Sequence, residues 1–139
     1  MALKSRLDPT EGDIQQLVQF LSQLYADEAE PVVQWEGSGG SSIWPIYRPD
    51  VEEFFRLASQ PCWSDYTYDP IKTSEMINDV ERIRMATLEE LKAMLTWSVR
   101  GERFTSGHWR AAIESGTIRL ILERLREWLV ERQSGRVEP

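Results

Sequence analysis

The chain has 139 residues, of which 41% are hydrophobic and 28% charged, a composition typical of one soluble globular domain. It has no apolar run long enough for a membrane span and no apolar segment near its first residues, so we expect neither a membrane protein nor a secretory signal. The single cysteine, Cys62, cannot form an internal disulfide, which makes a reducing cytoplasm the expected compartment.

The formal net charge of −7 is distributed unevenly. Residues 1–81 carry 5 basic and 15 acidic side chains, whereas residues 82–139 carry 11 basic and 8 acidic ones. Overall acidity argues against nucleic-acid binding, because contact with phosphates needs a basic surface. The uneven charge would suit self-association between unlike faces, and the basic excess leaves room for a local anion site. Two solvated surfaces of different charge are the alternative.

A capping pattern predicts the start of the first helix. Asp8 would be the capping residue, Pro9 the first helical residue and Glu11 the acidic partner three residues after the cap. The apolar residues that follow at helical spacing are Ile14, Leu17, Val18, Leu21, Leu24 and Tyr25. Two short apolar stretches then flank a loop of glycine and serine at about 36–42, so a short β-hairpin is a candidate near residues 32–47.

Similar capping patterns predict five further helices, which begin near Asp50, Asp69, Thr87, Thr105 or Ser106, and Thr117. The helix after Asp69 is expected to bury Ile71, Ile77, Val80 and Ile83. The helix after Thr87 is expected to end at Gly101 in the left-handed conformation. The last helix has the strongest apolar stripe, formed by Ile118, Ile121, Leu122, Leu125, Trp128 and Leu129. The tail at about 133–139 is expected to fray.

Six helices joined mostly by short loops indicate an all-α fold. We therefore expect a single domain over residues 1–139, a compact bundle of about six helices, with the candidate hairpin as its only β-structure.

Polar side chains are densest between residues 100 and 109. Arg100-Gly101-Glu102-Arg103-Phe104, followed by Gly107-His108-Trp109, resembles the mark of an uncharacterised bacterial family, a domain of unknown function. The similarity covers most of residues 43–129. Family members often carry a cysteine after the phenylalanine, and Thr105 in that position argues against an essential thiol. The resemblance implies a bacterial source and one shared domain, and it implies no activity.

This corner between two helices is the candidate site. Arg100, Arg103 and His108 could hold a small anion at a helix N-terminus, where His108 would stay neutral as a general base and Glu102 would orient it. Trp63, Tyr66 and Tyr68 could cover that site. The alternative is purely structural: Glu102 pairs with an arginine, Phe104 fills the core, and Trp109 packs against the last helix.

Other chemistry is weakly represented. The single histidine and single cysteine lack the spacing of a metal site, and no glycine-rich phosphate loop is present, so we expect neither metal nor cofactor. Cys62 reads as a small buried hydrophobe, because no positive charge is near it in sequence. Trp35, Trp44 and Trp63 lie in predicted loops with several tyrosines, either as an interaction surface or as lids over the helical core.

We therefore expect a binding module rather than an enzyme, one that contacts a protein partner or a second copy of itself. The competing hypothesis is a small-anion or metabolite site, or an enzyme active site, at the corner formed by Arg100, Glu102, Arg103 and His108.

Overall fold

The computed structural model describes residues 8–25, 31–36, 44–65, 67–102 and 105–137, and these residues form a mainly helical fold. Within those ranges lie eight helices and one two-stranded sheet. In chain order they are α1 (Glu11–Val18), α2 (Phe20–Leu24), β1 (Val32–Glu36), β2 (Trp44–Tyr47), α3 (Pro49–Ala58), α4 (Pro70–Ile77), α5 (Val80–Arg84), α6 (Leu88–Gly101), α7 (His108–Glu114) and α8 (Thr117–Val137). None of these helices is long and apolar enough to cross a membrane.

The helix count exceeds six because two predicted helices are each divided. The first divides at Gln19, and Phe20 beyond it is buried against Phe54 in an edge-to-face contact, with ring centroids 5.5 Å apart. The third divides at Asn78, and Asp79 caps α5 by accepting hydrogen bonds from the backbone N–H groups of Glu81 and Arg82. Both breaks fall within continuous apolar patterns. Helical spacing alone therefore predicts one helix where the structure has two.

The predicted buried stripe of residues 71–83 is wrong for two of its members. Ile71 is 74% exposed and Val80 46% exposed, whereas Thr73 and Met76 face the interior. The break before Asp79 changes the direction of the chain, so a single helical phase does not continue from α4 into α5. Ile83 is fully buried, as predicted.

Three of the predicted capping residues are wrong for the helices described so far. Thr10, not Asp8, caps α1, and it forms a reciprocal capping box with Asp13. Pro49 is the first residue of α3, and Asp50 pairs with Arg48 at 3.0 Å instead of capping the helix. Proline suits this first position because its missing N–H would have no helical partner there. Helix α8 begins at Thr117 itself, after Gly116 in the left-handed region with φ of 90°.

The core is organised around α8, whose predicted stripe is confirmed. Ile118, Ile121, Leu122 and Leu125 are inaccessible to solvent, and α8 packs against α1, α5 and α7. The helix continues to Val137, so it includes part of the segment for which fraying was predicted.

The predicted hairpin is confirmed in place. Strands β1 and β2 pair antiparallel, with Val32 opposite Tyr47 and Glu36 opposite Trp44, and the register is irregular between Val32 and Gln34. The loop predicted at about 36–42 lies, from residue 37 on, outside the described residues. The pairing matters for the site because it places Tyr47 at the buried end of the hairpin.

Candidate functional site

The corner joins the end of α6 to the start of α7, and its backbone differs from the prediction. Gly101 is the last helical residue of α6 rather than a left-handed terminator. The left-handed residue is Gly107, with φ of 89°, and it occupies the N-cap position of α7. Thr105 and Ser106 therefore do not cap α7, and Gly107 has no side chain with which to do so.

Glu102 supplies the missing cap from the preceding helix end. Its two carboxylate oxygens accept hydrogen bonds from the backbone N–H of Gly107 at 2.9 Å and of Trp109 at 2.8 Å. A carboxylate at a helix N-terminus also interacts favourably with the helix dipole. Glu102 is therefore bound to the α7 backbone, not to the His108 imidazole that it was predicted to orient.

Tyr47 completes this arrangement from β2. Its hydroxyl donates to the Glu102 carboxylate at 2.9 Å and accepts from the backbone N–H of Arg110 at 3.3 Å. Burial raises the pKa of Tyr47, and the adjacent Glu102 carboxylate raises it further. Sequence analysis missed this role, because no spacing pattern connects residues 55 positions apart.

Trp109 fixes the corner to the core. Its ring stacks on Phe55 with centroids 4.3 Å apart and planes inclined by 6°, and its indole N–H donates to the Val99 carbonyl at 3.1 Å. Trp109 thus stacks on α3, and its predicted packing against the last helix stays a prediction. Phe104, the other predicted anchor, and Arg103, a predicted anion-binding residue, lie outside the described residues.

His108 is the first residue of α7 and packs over Gly101. A Cβ atom at position 101 would overlap the imidazole ring, so any larger residue here would force the ring to move. The ring also contacts Trp97, with centroids 4.7 Å apart and planes inclined by 59°. Its Nε2 atom is buried without a hydrogen-bond partner. Burial lowers the pKa of His108, and this effect outweighs the nearby Glu102 carboxylate, which raises that pKa. The net result favours a neutral imidazole.

An open cleft of about 670 Å³ lies where α6, α7 and the start of α4 meet. The described residues that line it are Tyr68, Pro70, Trp97, Arg100, Gly101, Thr105 and His108. The structure thus brings together Tyr68, Arg100 and His108 from the predicted site. It adds Trp97, which is not among the predicted site residues.

The remaining predicted site residues do not contribute to this lining. Trp63 is fully buried at 0% exposure, and its backbone carbonyl accepts a hydrogen bond from Thr96 within the core. A buried indole cannot cover an open cleft, so the structure does not support Trp63 as a cover of the candidate site, whereas its burial agrees with packing over the helical core. Tyr66 lies outside the described residues.

A second cleft, of about 470 Å³, lies between α4 and the start of α6 and has several acidic walls. Two of its carboxylates already have structural partners. Asp69 accepts from the first backbone N–H groups of α4, and Glu90 accepts from the N–H of Thr87 in the predicted capping box. Its lining also includes Lys72, Arg82, Glu75 and Glu89, so charges of both signs face this cleft.

Metal and thiol chemistry find little support in the described part of the chain. There, no group of three or more histidine, cysteine, aspartate or glutamate side chains is arranged to hold a metal ion. Burial raises the pKa of the Cys62 thiol to about 11, and the neighbouring Asp13 carboxylate acts in the same direction. A thiol with that pKa is a poor nucleophile near neutral pH.

Comparison with known proteins identifies a family and no activity. The model of a family of unknown function, DUF6508, matches residues 9–131. No curated protein and no solved structure gives a significant match to the chain.

Proposed function

The chain belongs to this family of unknown function, which indicates no activity, and we propose a function from the cleft itself. The protein binds a small organic anion between α6, α7 and the start of α4. One observation carries the proposal: three aromatic rings and an arginine line a single open cleft. Its volume of about 670 Å³ lies within the range of ordinary ligand pockets.

Charge favours an anion over a cation. Arg100 carries a permanent positive charge at the wall of the cleft, in a protein whose net charge is −7. Thr105 adds a hydroxyl that can donate a hydrogen bond to an anionic oxygen.

Binding without catalysis is the form of this proposal that the contacts support. A histidine acting as general base needs reach to a proton and a partner that orients its ring. Here Nε2 faces Gly101 without a partner, and Glu102 has other partners. His108 then serves as a neutral wall of the cleft beside Trp97.

A thermal-shift experiment with acetate, benzoate and inorganic phosphate tests the proposal. A ligand present at 100 times its dissociation constant stabilises the fold by about 2.7 kcal/mol. We expect at least one anion to raise the melting temperature of the unaltered protein and of Arg84→Gln, which removes an exposed arginine from α5. Arg100→Gln should abolish that shift while remaining folded. Equal shifts in both variants, or no shift with any anion, would contradict the proposal.

A second candidate function is a protein contact, through a partner or a second copy. The observation that favours it is a set of apolar side chains left exposed, with Met85 at 76% and Val130 at 57%. Light scattering should then give a dimer mass, and Met85→Lys or Val130→Lys should reduce it without unfolding. A monomer that captures no partner would rule this out. We also propose, from the sequence alone, a bacterial source and a cytoplasmic location.

A further inference from the structure

Two residues of α6 give the cleft a flat surface beside a positive charge. Trp97 and Arg100 are three positions apart, so they lie on the same helix face with Cβ atoms about 5–6 Å apart. Both line the cleft and both are partly exposed. A ligand ring that lies on the indole would therefore carry its substituent close to the guanidinium.

The neighbouring His108 ring does not stack on the indole of Trp97. Aromatic rings pair favourably when they stack with an offset or meet edge to face. Trp109 already has a parallel partner in Phe55, at 4.3 Å and 6°. Trp97, by contrast, meets His108 at 59°, so the imidazole does not cover the indole face as a stacked ring would. Tyr68 adds a further aromatic ring to the same cleft, and Pro70 adds a small saturated one.

The charge at the wall suits a singly charged anion. Among the described lining residues, Arg100 is the one with a permanent charge, and a guanidinium binds one carboxylate in a planar, two-point contact. A doubly charged phosphate gains most from several cations together. The buried Nε2 of His108 makes that ring a poor second cation.

We infer that the ligand is a flat aromatic carboxylate, with its ring on Trp97 and its carboxylate beside Arg100. This inference rests on the proposed function and makes it specific: an arylcarboxylate is preferred both to a non-planar carboxylate of similar size and to phosphate.

Calorimetric titration with benzoate, cyclohexanecarboxylate and inorganic phosphate tests the inference. The two carboxylates have the same charge and carbon number, and they differ in the flat π-face that one presents. Stacking contributes enough to predict that benzoate binds about tenfold more tightly than cyclohexanecarboxylate. Phosphate should bind more weakly than benzoate.

Variants assign the preference to the two residues. Trp97→Leu should bring the affinities of the two carboxylates within about twofold of each other, whereas Trp97→Phe should retain a preference for benzoate. Arg100→Gln should weaken both carboxylates together. Trp128→Leu, which removes a partly buried indole of α8 away from the cleft, is the matched control and should leave the preference intact.

The outcomes separate the two levels of the proposal. Equal affinity for benzoate and cyclohexanecarboxylate, both sensitive to Arg100→Gln, overturns the aromatic ligand and leaves anion binding standing. Tighter binding of phosphate than of benzoate does the same. Failure of all three probes to bind overturns the proposed function as well. If Trp97→Leu does not fold, the benzoate preference of the unaltered protein and of Trp97→Phe decides the inference.

Discussion

At the scale of single residues, Gly101 is explained by close approach rather than by backbone conformation. Its φ lies in the helical range, where alanine is ordinarily the better residue by roughly 0.5–1 kcal/mol. The His108 ring fills the space that a Cβ atom would need. The absence of a side chain at Gly101 therefore matches the position of the His108 ring.

We expect Gly101→Ala to destabilise the protein, because the new methyl group overlaps the imidazole. Gly12→Ala is the matched control, since a Cβ atom there meets only the Thr10 hydroxyl at an ordinary 3.7 Å. That control should gain about 0.5–1 kcal/mol in urea denaturation. Adding His108→Ala to Gly101→Ala should recover stability relative to the single glycine variant. A stabilising Gly101→Ala would show that the imidazole does not occupy this space.

His108 should make stability depend on pH in a defined direction. Its folded pKa is below the usual value of 6.5 because burial disfavours the charged ring, so the unfolded chain binds the proton more readily. The contribution of the neutral ring is complete above about pH 6.5 and is lost as the pH falls toward the lower folded value.

Chemical denaturation of the unaltered protein and of His108→Asn between pH 7.5 and 5 measures this effect. We expect the stability of the unaltered protein to fall more steeply over that window, since the chain contains no other histidine. Parallel pH profiles would mean that the folded and unfolded states bind the His108 proton equally.

At the scale of elements, the local caps of α4 and α6 were predictable, and the long-range cap of α7 was not. Thr87 with Glu90 and Asp69 with Pro70 begin α6 and α4 as predicted, because each cap and its backbone partner lie within three residues. Glu102 reaches the N–H of Trp109, seven residues on, through a turn whose path sequence alone does not specify.

The same contrast between local and long-range contacts explains which site residues could be predicted. Arg100, His108 and Tyr68 were predicted because polar and aromatic residues cluster in sequence, and the cleft contains them. Trp97 was missed because a tryptophan within an amphipathic helix is ordinarily a core residue. Tyr47 was missed because only tertiary packing brings the hairpin to the corner.

A double-mutant cycle on Tyr47 and Glu102 tests the link between hairpin and corner. Glu102→Ala should cost about 2 kcal/mol, because it removes a charged cap and leaves backbone N–H groups unsatisfied. Tyr47→Phe should cost about 1 kcal/mol through loss of both hydroxyl hydrogen bonds. The double variant should lose clearly less than the sum, because the two groups share one network. Strict additivity would contradict a shared network.

At the scale of the whole molecule, α8 gives the fold a common core. It packs against helices from both the acidic first part and the basic second part of the chain. A mainly helical fold was predictable, since periodic apolar stripes report burial directly. The number of helices was not, since breaks at Gln19 and Asn78 leave the apolar spacing almost unchanged.

A single core predicts that the chain unfolds in one cooperative transition, as one domain. Far-ultraviolet circular dichroism and tryptophan fluorescence should give coincident urea curves. Leu122→Ala, at a fully buried position of α8, should lower the free energy of unfolding by about 2–5 kcal/mol for both probes equally. Two separated transitions would instead divide the chain into independent units.

The Tyr47–Glu102 contact also has a consequence for the order of folding. Helix α7 has 7 residues, well below the roughly 12–15 that an isolated helix needs in water. Its N-terminus is held in part by a hydroxyl 63 residues earlier in the chain, at the N–H of Arg110. Helix α7 therefore gains its full set of hydrogen bonds only after the hairpin has docked, and in native-state hydrogen exchange the two elements should open together as one late-forming unit.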